Sequence, residues 1–256
     1  MSSQAKSAAD SGAQQQSAQA SSTTTSQKPK SQKAKAVESR KHPGKHYVFS
    51  DRLGKGTQAT VWKFNMEGTI YAGKVTSNDW IFEERHGDPN YWKKRMLSLC
   101  REFIFLQMID SPHVIRLEEI IRTRSNYYCI LEYANGGSLQ NLLNVKQRFP
   151  EKVARECIKQ IIAGCSALYD LCIMHRDMKL DNILVHFPNR PDTEAVDLAT
   201  VDLENEPFLV KIADLGYARE FKTNESNTVS EQKRDRAFSF KGSPLMMPAE
   251  QIQTYW

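Results

Sequence analysis

From Tyr47 onward apolar positions come in short alternating runs, and later the period changes. Tyr47-Val48-Phe49 leads through Leu53 and Gly54-Lys55-Gly56 into Thr60-Val61-Trp62-Lys63-Phe64, and Glu67-Gly68 turns the chain into Thr69 to Val75. This predicts a three-stranded antiparallel meander. Thr76 to Asn90 is polar and mixed, a loop with partial helix. From Trp92 to Ile109, Met96, Leu99, Phe103, Leu106 and Met108 recur mostly at three- and four-residue steps, the mark of a helix. Ser111-Pro112 stops it, and Val114 to Ile121 and Tyr127 to Glu132 supply two more strands.

Beyond Asn135-Gly136-Gly137 the pattern turns helical. Ser138 is placed to cap Leu139 to Val145. A longer helix runs from Pro150 to about Leu171, with Val153, Cys157, Ile158, Ile161, Ile162, Cys165 and Leu168 on one face. Pro150 suits the first turn, where its missing N–H would be unpaired anyway. Short apolar runs follow at Ile183-Leu184-Val185 and Leu209 to Ile212, with an irregular insertion, His186 to Pro207, between them. The fold class is therefore α+β: a five-stranded antiparallel lobe, a Gly-Gly connector and a helical lobe.

Residues 1–46 change the picture at one end only. They are rich in Ser, Gln, Ala, Thr and Lys and contain no aromatic residue and no Leu or Ile. Such a stretch buries too little apolar surface to offset its ordering entropy, so it is expected to be disordered. It carries eight Lys/Arg against two acids, and the remaining chain is close to neutral although the whole is +5. Basic, hydroxyl-rich arms can touch acidic lipid, nucleic acid or an acidic partner, but most are simply solvated, so no nucleic-acid partner is expected. Five cysteines, an odd number with no C-x-x-C spacing, point to a reduced, cytoplasmic protein. No long apolar run predicts a membrane span.

Four short motifs carry chemistry. Gly54-Lys55-Gly56 lies in the first hairpin, where glycine lets backbone N–H groups approach phosphate oxygens. Tyr71-Ala-Gly-Lys74 ends the third strand in a lysine, twenty residues after Gly54. His175-Arg-Asp-Met-Lys-Leu-Asp-Asn182 packs six polar functional groups into eight residues, and Asp214-Leu-Gly216 follows an apolar strand 37 residues after Asp177.

Together these motifs resemble the eukaryotic protein kinase family. The resemblance covers Tyr47 to Trp256 and implies a two-lobed fold: small lobe 47–132, hinge 132–137, and a helical lobe from 138 that lacks its last helices and leaves apolar faces unpartnered. It implies ATP and Mg²⁺ as cofactors. Lys74 would hold the α- and β-phosphates and pair with a helical glutamate, for which Glu102 is the best match and Glu83 and Glu84 are competitors. Asp177 would accept or orient the substrate hydroxyl, Lys179 would contact the γ-phosphate, and Asn182 and Asp214 would hold the metal. Leu53, Gly54, Lys55 and Gly56 would cover the nucleotide. Val61, Ala72 and Leu184 would sandwich the adenine with Leu131 behind it, and the backbone of Glu132 and Ala134 would bind its edge. Lys179, with Ser243 in Gly242-Ser-Pro, resembles the serine/threonine branch, so the partner is a protein substrate presenting Ser or Thr. Lys211 to Arg219 and the Gly-Ser-Pro-Leu segment are similar to the Unc-51-like group.

The resemblance also implies regulation, with Arg176 pairing with a phosphorylated Ser239; Thr228 and Ser230 are rival positions, and the expected partners include a regulatory one. Three departures stand out. Ala59 replaces the third glycine of the phosphate loop, Gly73 replaces an apolar residue before Lys74, and Met247-Pro-Ala-Glu250 inverts the Ala-Pro-Glu that closes the activation segment. Two other classes compete with an active enzyme: a pseudokinase-like module that binds ATP without transfer, and a nucleic-acid binder working through the basic arm.

Overall fold

The computed structural model describes residues 35–83 and 90–221. Ser239, its rivals, Ser243 and the 247–250 run lie outside them, as does Glu84. The small lobe contains β1 (Ala36–Glu38), β2 (His46–Lys55), β3 (Thr60–Met66), β4 (Thr69–Ser77), α1 (Asn78–Phe82), α2 (Tyr91–Met108), β5 (Leu117–Arg122) and β6 (Asn126–Glu132). Its strands form one antiparallel sheet in the order β1-β2-β3-β4-β6-β5.

The sheet therefore has six strands where five were expected, and the expected disorder of 1–46 is corrected at its C-terminal end. β1 has one buried apolar residue, Val37, and pairs Val37 with Tyr47. The turn after it is held from far away. The N–H groups of Arg40 and Lys41 both donate to Glu119 Oε2, at 3.1 and 2.9 Å, and the Arg40 guanidinium donates to the Arg122 carbonyl. Glu119 sits on β5 at the opposite edge of the sheet order, so the sheet curls until its two edges communicate.

The outer face of the sheet carries an apolar core of Tyr47, Phe64, Tyr128 and Ile130, with Phe49 against Phe64 at 4.4 Å between ring centroids. This explains Gly73. A Cβ at that position would lie 2.3 Å from Phe64 Cε2, so the Phe64 ring occupies the space an apolar side chain would take. Gly73→Ala is expected to cost about 1–3 kcal/mol through overpacking, read as a lowered melting temperature. Recovery in Gly73→Ala/Phe64→Leu checks the cause.

The second lobe contains α3 (Leu139–Lys146), α4 (Glu151–Asp170), β7 (Ile173–Met174), β8 (Ile183–His186), β9 (Leu209–Ile212) and β10 (Arg219–Glu220). Ser138 caps α3, its Oγ accepting from the Asn141 N–H at 3.1 Å. Pro150 stands just ahead of α4 in an extended conformation rather than inside its first turn. α4 lies tightly against β9: a Cβ on Gly164 would come within 2.6 Å of the His113 carbonyl and 2.8 Å of Ile212. That contact selects the buried side. Val153, Cys157 and Leu168 are buried, whereas Ile158, Ile162 and Cys165, assigned to the same face from spacing, are exposed. β8 and β9 form an antiparallel ribbon, and β7 pairs with β10. Among the described residues no helix is long and apolar enough to cross a membrane.

Candidate active site

Register places the side chains of the small lobe. β3 and β4 pair Val61 with Lys74 and Lys63 with Ala72, while β4 and β6 pair Ala72 with Leu131 and Lys74 with Cys129. Residues opposite one another share a face, and alternate residues along a strand share it too. Val61, Lys63, Ala72, Lys74, Cys129 and Leu131 therefore lie on the inner face, opposite the Phe64 core.

Lys74 ties that face to two other elements. Its Nζ donates to Glu102 Oε1 on α2 at 2.7 Å and to Asp214 Oδ1 at 2.9 Å. Burial alone would drive the Lys74 ammonium to lose its proton. Glu102 and Asp214 more than offset that and hold its pKa above the ordinary lysine value. Glu102 is buried and its pKa is raised by that burial, against the pull of Lys74. Asp214 keeps a lowered pKa despite burial, because Lys74 and the Gly216 N–H stabilise its charge. Glu83 turns the other way, towards the buried Arg95. Asp214 has a left-handed backbone, φ +62°, and a Cβ on Gly216 would sit 3.2 Å from its carboxylate and 3.6 Å from Lys74 Nζ.

The loop between β7 and β8 supplies a second group. Asn182 Nδ2 donates to the Asp177 carbonyl and to Asp177 Oδ2, both at 2.8 Å, and Lys179 Nζ lies 3.0 Å from the same Oδ2. Hydrogen bonds from Lys179 and Asn182 hold the Asp177 carboxyl below its usual range. Because Asn182 spends its amide nitrogen on Asp177, its carboxamide oxygen remains the atom able to face a cation. Buried His175 joins the groups. The Asp177 N–H donates to His175 Nδ1 at 3.2 Å, which leaves the ring proton on Nε2, 2.9 Å from the Ala213 carbonyl beside Asp214.

These residues fit a nucleotide triphosphate with a hard cation. Among the described residues nothing lies within 4 Å of a Cβ built on Gly54, and Gly56 would meet only an ordinary contact with the Ala59 carbonyl, so the described fold does not demand glycine there. Room is left for a ligand. Among the described residues no cluster of three or more His, Cys, Asp or Glu can hold a metal unaided. One carboxylate and one carboxamide oxygen, completed by phosphate oxygens and water, suit Mg²⁺. At the connector, the Ala134 N–H has no protein acceptor among the described residues, whereas its carbonyl accepts from Gly137. A separate cavity of about 550 Å³, lined by Thr57, Trp80, Lys94 and Arg219 among others, touches none of the inner-face residues and is not this site.

The protein kinase domain model matches residues 47–254. The chain belongs to the protein kinase family. It is 30% identical over 213 residues to the serine/threonine-protein kinase ATG1c of Arabidopsis thaliana, covering 82% of this chain and 24% of that one. It is 27% identical over 206 residues to the serine/threonine-protein kinase ULK3 of Rattus norvegicus, covering 80% and 36%. The chain thus spans about a quarter to a third of the length of these relatives, and both place it on the serine/threonine side of the family.

Within this kinase domain the site residues implied by the resemblance fall into three places. Lys74, Glu102 and Asp214 converge, as do Asp177, Lys179 and Asn182. Leu53 is exposed at the lip of β2, and Ala134 is buried at the connector. The Glu132 side chain has a task not foreseen: its Oε1 accepts from the Arg116 N–H at 2.8 Å and from Lys211 Nζ at 3.0 Å. Arg176 takes a positive φ, +68°, and donates from Nε to the Tyr217 carbonyl. Sequence reasoning missed Asn135, whose buried carboxamide accepts from the Phe187 N–H and donates to the Phe187 and Arg190 carbonyls. A lone Asn beside two glycines gives no pattern that could have found it.

Proposed function

We propose that this chain transfers the γ-phosphoryl group of ATP to Ser or Thr hydroxyls of a protein substrate in the cytoplasm. The observation that carries the reading is the convergence of Lys74, Glu102 and Asp214 within hydrogen-bonding distance, beside an Asp177 already bonded by Lys179 and Asn182. Lys74, kept cationic by its two carboxylates, binds α- and β-phosphate oxygens. Asp177 orients the incoming hydroxyl and accepts its proton as the new O–P bond forms and the bond to the β-phosphate oxygen breaks. Lys179 stabilises charge on the transferred group. Asp214 and the Asn182 carboxamide oxygen would hold Mg²⁺, which when bound would neutralise charge on the phosphates. Val61, Ala72, Leu131 and Leu184 enclose the adenine, and the Ala134 N–H serves its edge. The five cysteines, all free, suit the reduced compartment.

The lowered pKa of Asp177 gives a sign for pH dependence. Asp177 stays ionised through the neutral range, so its acid limb in kcat lies below the ordinary aspartate range. Lys179→Met removes the strongest stabiliser of that charge and moves the limb to higher pH. An unmoved limb would assign it to another group.

Regulation follows from a cationic group around β10. Burial lowers the pKa of Arg219, and Arg101 and Arg176 lower it further by repulsion. These guanidiniums suit an anion, and phosphorylated Ser239 is the anion we assign; Ser239→Ala then lowers activity.

The direct test incubates the full chain with Mg²⁺ and γ-labelled ATP and a mixed Ser/Thr peptide library. Transfer to hydroxyls is expected. Nucleotide binding without transfer would instead make the chain a regulatory module, and failure to bind nucleotide would overturn the reading.

A further inference from the structure

The insertion between β8 and β9 carries six Asp/Glu among residues 187–207 and is fastened at several points. Asn135 grips its start through Phe187 and Arg190, and the Phe187 ring lies directly beneath Gly136, where a Cβ would be 2.6 Å away. Arg190 and Glu206 form a two-pronged ion pair at 2.6 and 2.8 Å that draws its ends together. Lys146 on α3 donates to the Ala199 and Val201 carbonyls at 2.8 and 2.7 Å, and Val201 enters the helical-lobe core. The segment is therefore a rigid part of the second lobe and its connector.

Against it stands Lys63 of β3. Lys63 lies on the inner face, paired with Ala72, and is only 7% exposed. A lysine that buried needs partners, since an unpaired buried charge is costly. Its partners lie in the insertion and in the connector: Nζ donates to the Asp192 carbonyl at 2.9 Å and sits 4.9 Å from the centre of the Tyr133 ring in the connector. Beside that carbonyl, His186 Nδ1 and Asp192 Oδ1 face each other at 3.9 Å, and neither has another partner among the described residues.

We infer that residues 187–207 form a strap between the lobes and that Lys63 is the positioning residue that latches it, limiting how far the sheet swings away from the helical lobe. In so far as it concerns nucleotide turnover, this rests on the proposed ATP chemistry. Lobe opening controls release of bound product in enzymes of this architecture. Loosening the latch therefore accelerates nucleotide dissociation without altering the phosphate-binding side chains.

The test follows dissociation of a fluorescent ADP analogue from the full chain with Mg²⁺, alongside amide hydrogen exchange of the nucleotide-free protein. Lys63→Met, which keeps the stem over Tyr133, is expected to release the analogue about tenfold faster, the loss of one charge-assisted hydrogen bond. KM for ATP rises while kcat stays level or increases. Lys63→Arg restores slow release, which a purely structural loss would not show. Exchange in peptides covering 133–137 and 187–192 speeds up in Lys63→Met alone. Unchanged exchange in Lys63→Met, or unchanged release where the wild type binds nucleotide, overturns the strap. Faster exchange in Lys63→Met, with a wild type that never binds nucleotide, would retain the strap and sink the ATP reading instead.

Discussion

Asp177→Asn is expected to lower kcat for phosphoryl transfer by about 10²- to 10⁴-fold, the usual worth of a positioned acid–base group, with nucleotide affinity almost unchanged. The substitution is nearly isosteric. The Asp177 carbonyl, which accepts one of the two Asn182 bonds, is untouched, so the loop keeps an anchor. What disappears is the charge that Lys179 faces at 3.0 Å and the only oxygen in this group able to take the hydroxyl proton. Lys74, Asp214 and the connector N–H, which we assign to ATP, do not contact Asp177 in the hydrogen-bond network. Single-turnover transfer and equilibrium binding of a fluorescent ATP analogue, measured on one preparation, separate the two effects. Equal losses in both would show that Asp177 supports the nucleotide site rather than the chemistry. Stability is expected to move little, because the pair with Lys179 is largely solvent-exposed.

The candidate residues that the fold brings together share one physical property: their neighbours are fixed by short stretches of chain. Asp177, Lys179 and Asn182 sit in one turn, so six residues suffice to bring them together. Lys74 and Asp214 are each delivered by a strand whose alternation is visible as a pattern. Features that stayed hidden depend on partners far along the chain. β1 offers a single buried apolar residue, Val37, and the turn after it is held by Glu119, 79 residues from Arg40. Gly73 looks like a defect until Phe64, one strand over, is seen filling its place.

Helix α4 shows a different limit. Its seven apolar positions cover too wide an arc to be buried on one side, and periodicity alone cannot say which edge of the arc loses. The close approach at Gly164 decides it, by turning Val153, Cys157 and Leu168 inward and Ile158 and Ile162 outward. The insertion was illegible for a related reason. It is held by side chains of Asn135 and Lys146 capturing its backbone carbonyls, and carbonyls carry no sequence signature.

Lys74→Met is expected to abolish nucleotide binding and also to destabilise the fold, by about 3–5 kcal/mol if Glu102 is left charged and unpaired. Glu102 is 5% exposed in its side chain and faces Asp214 through the ammonium that the substitution deletes. Two carboxylates then confront each other with nothing between them. Glu102 already has a raised pKa, owing first to burial and opposed by Lys74. Without Lys74 that pKa rises further, above its value in the unfolded chain. A carboxyl whose folded pKa exceeds its unfolded one favours the folded state at low pH and disfavours it as pH climbs through the folded pKa. The variant should therefore melt progressively lower than the wild type between mildly acidic and alkaline pH, with the gap smallest at the acidic end. Lys74→Met/Glu102→Leu replaces both members of the pair by apolar groups and should recover most of the lost stability while remaining unable to bind ATP. If the double variant melts no higher than Lys74→Met, the buried carboxylate is not the source of the cost. If instead Lys74→Met retains wild-type nucleotide affinity, the ammonium at the centre of this site serves the fold and not the phosphates.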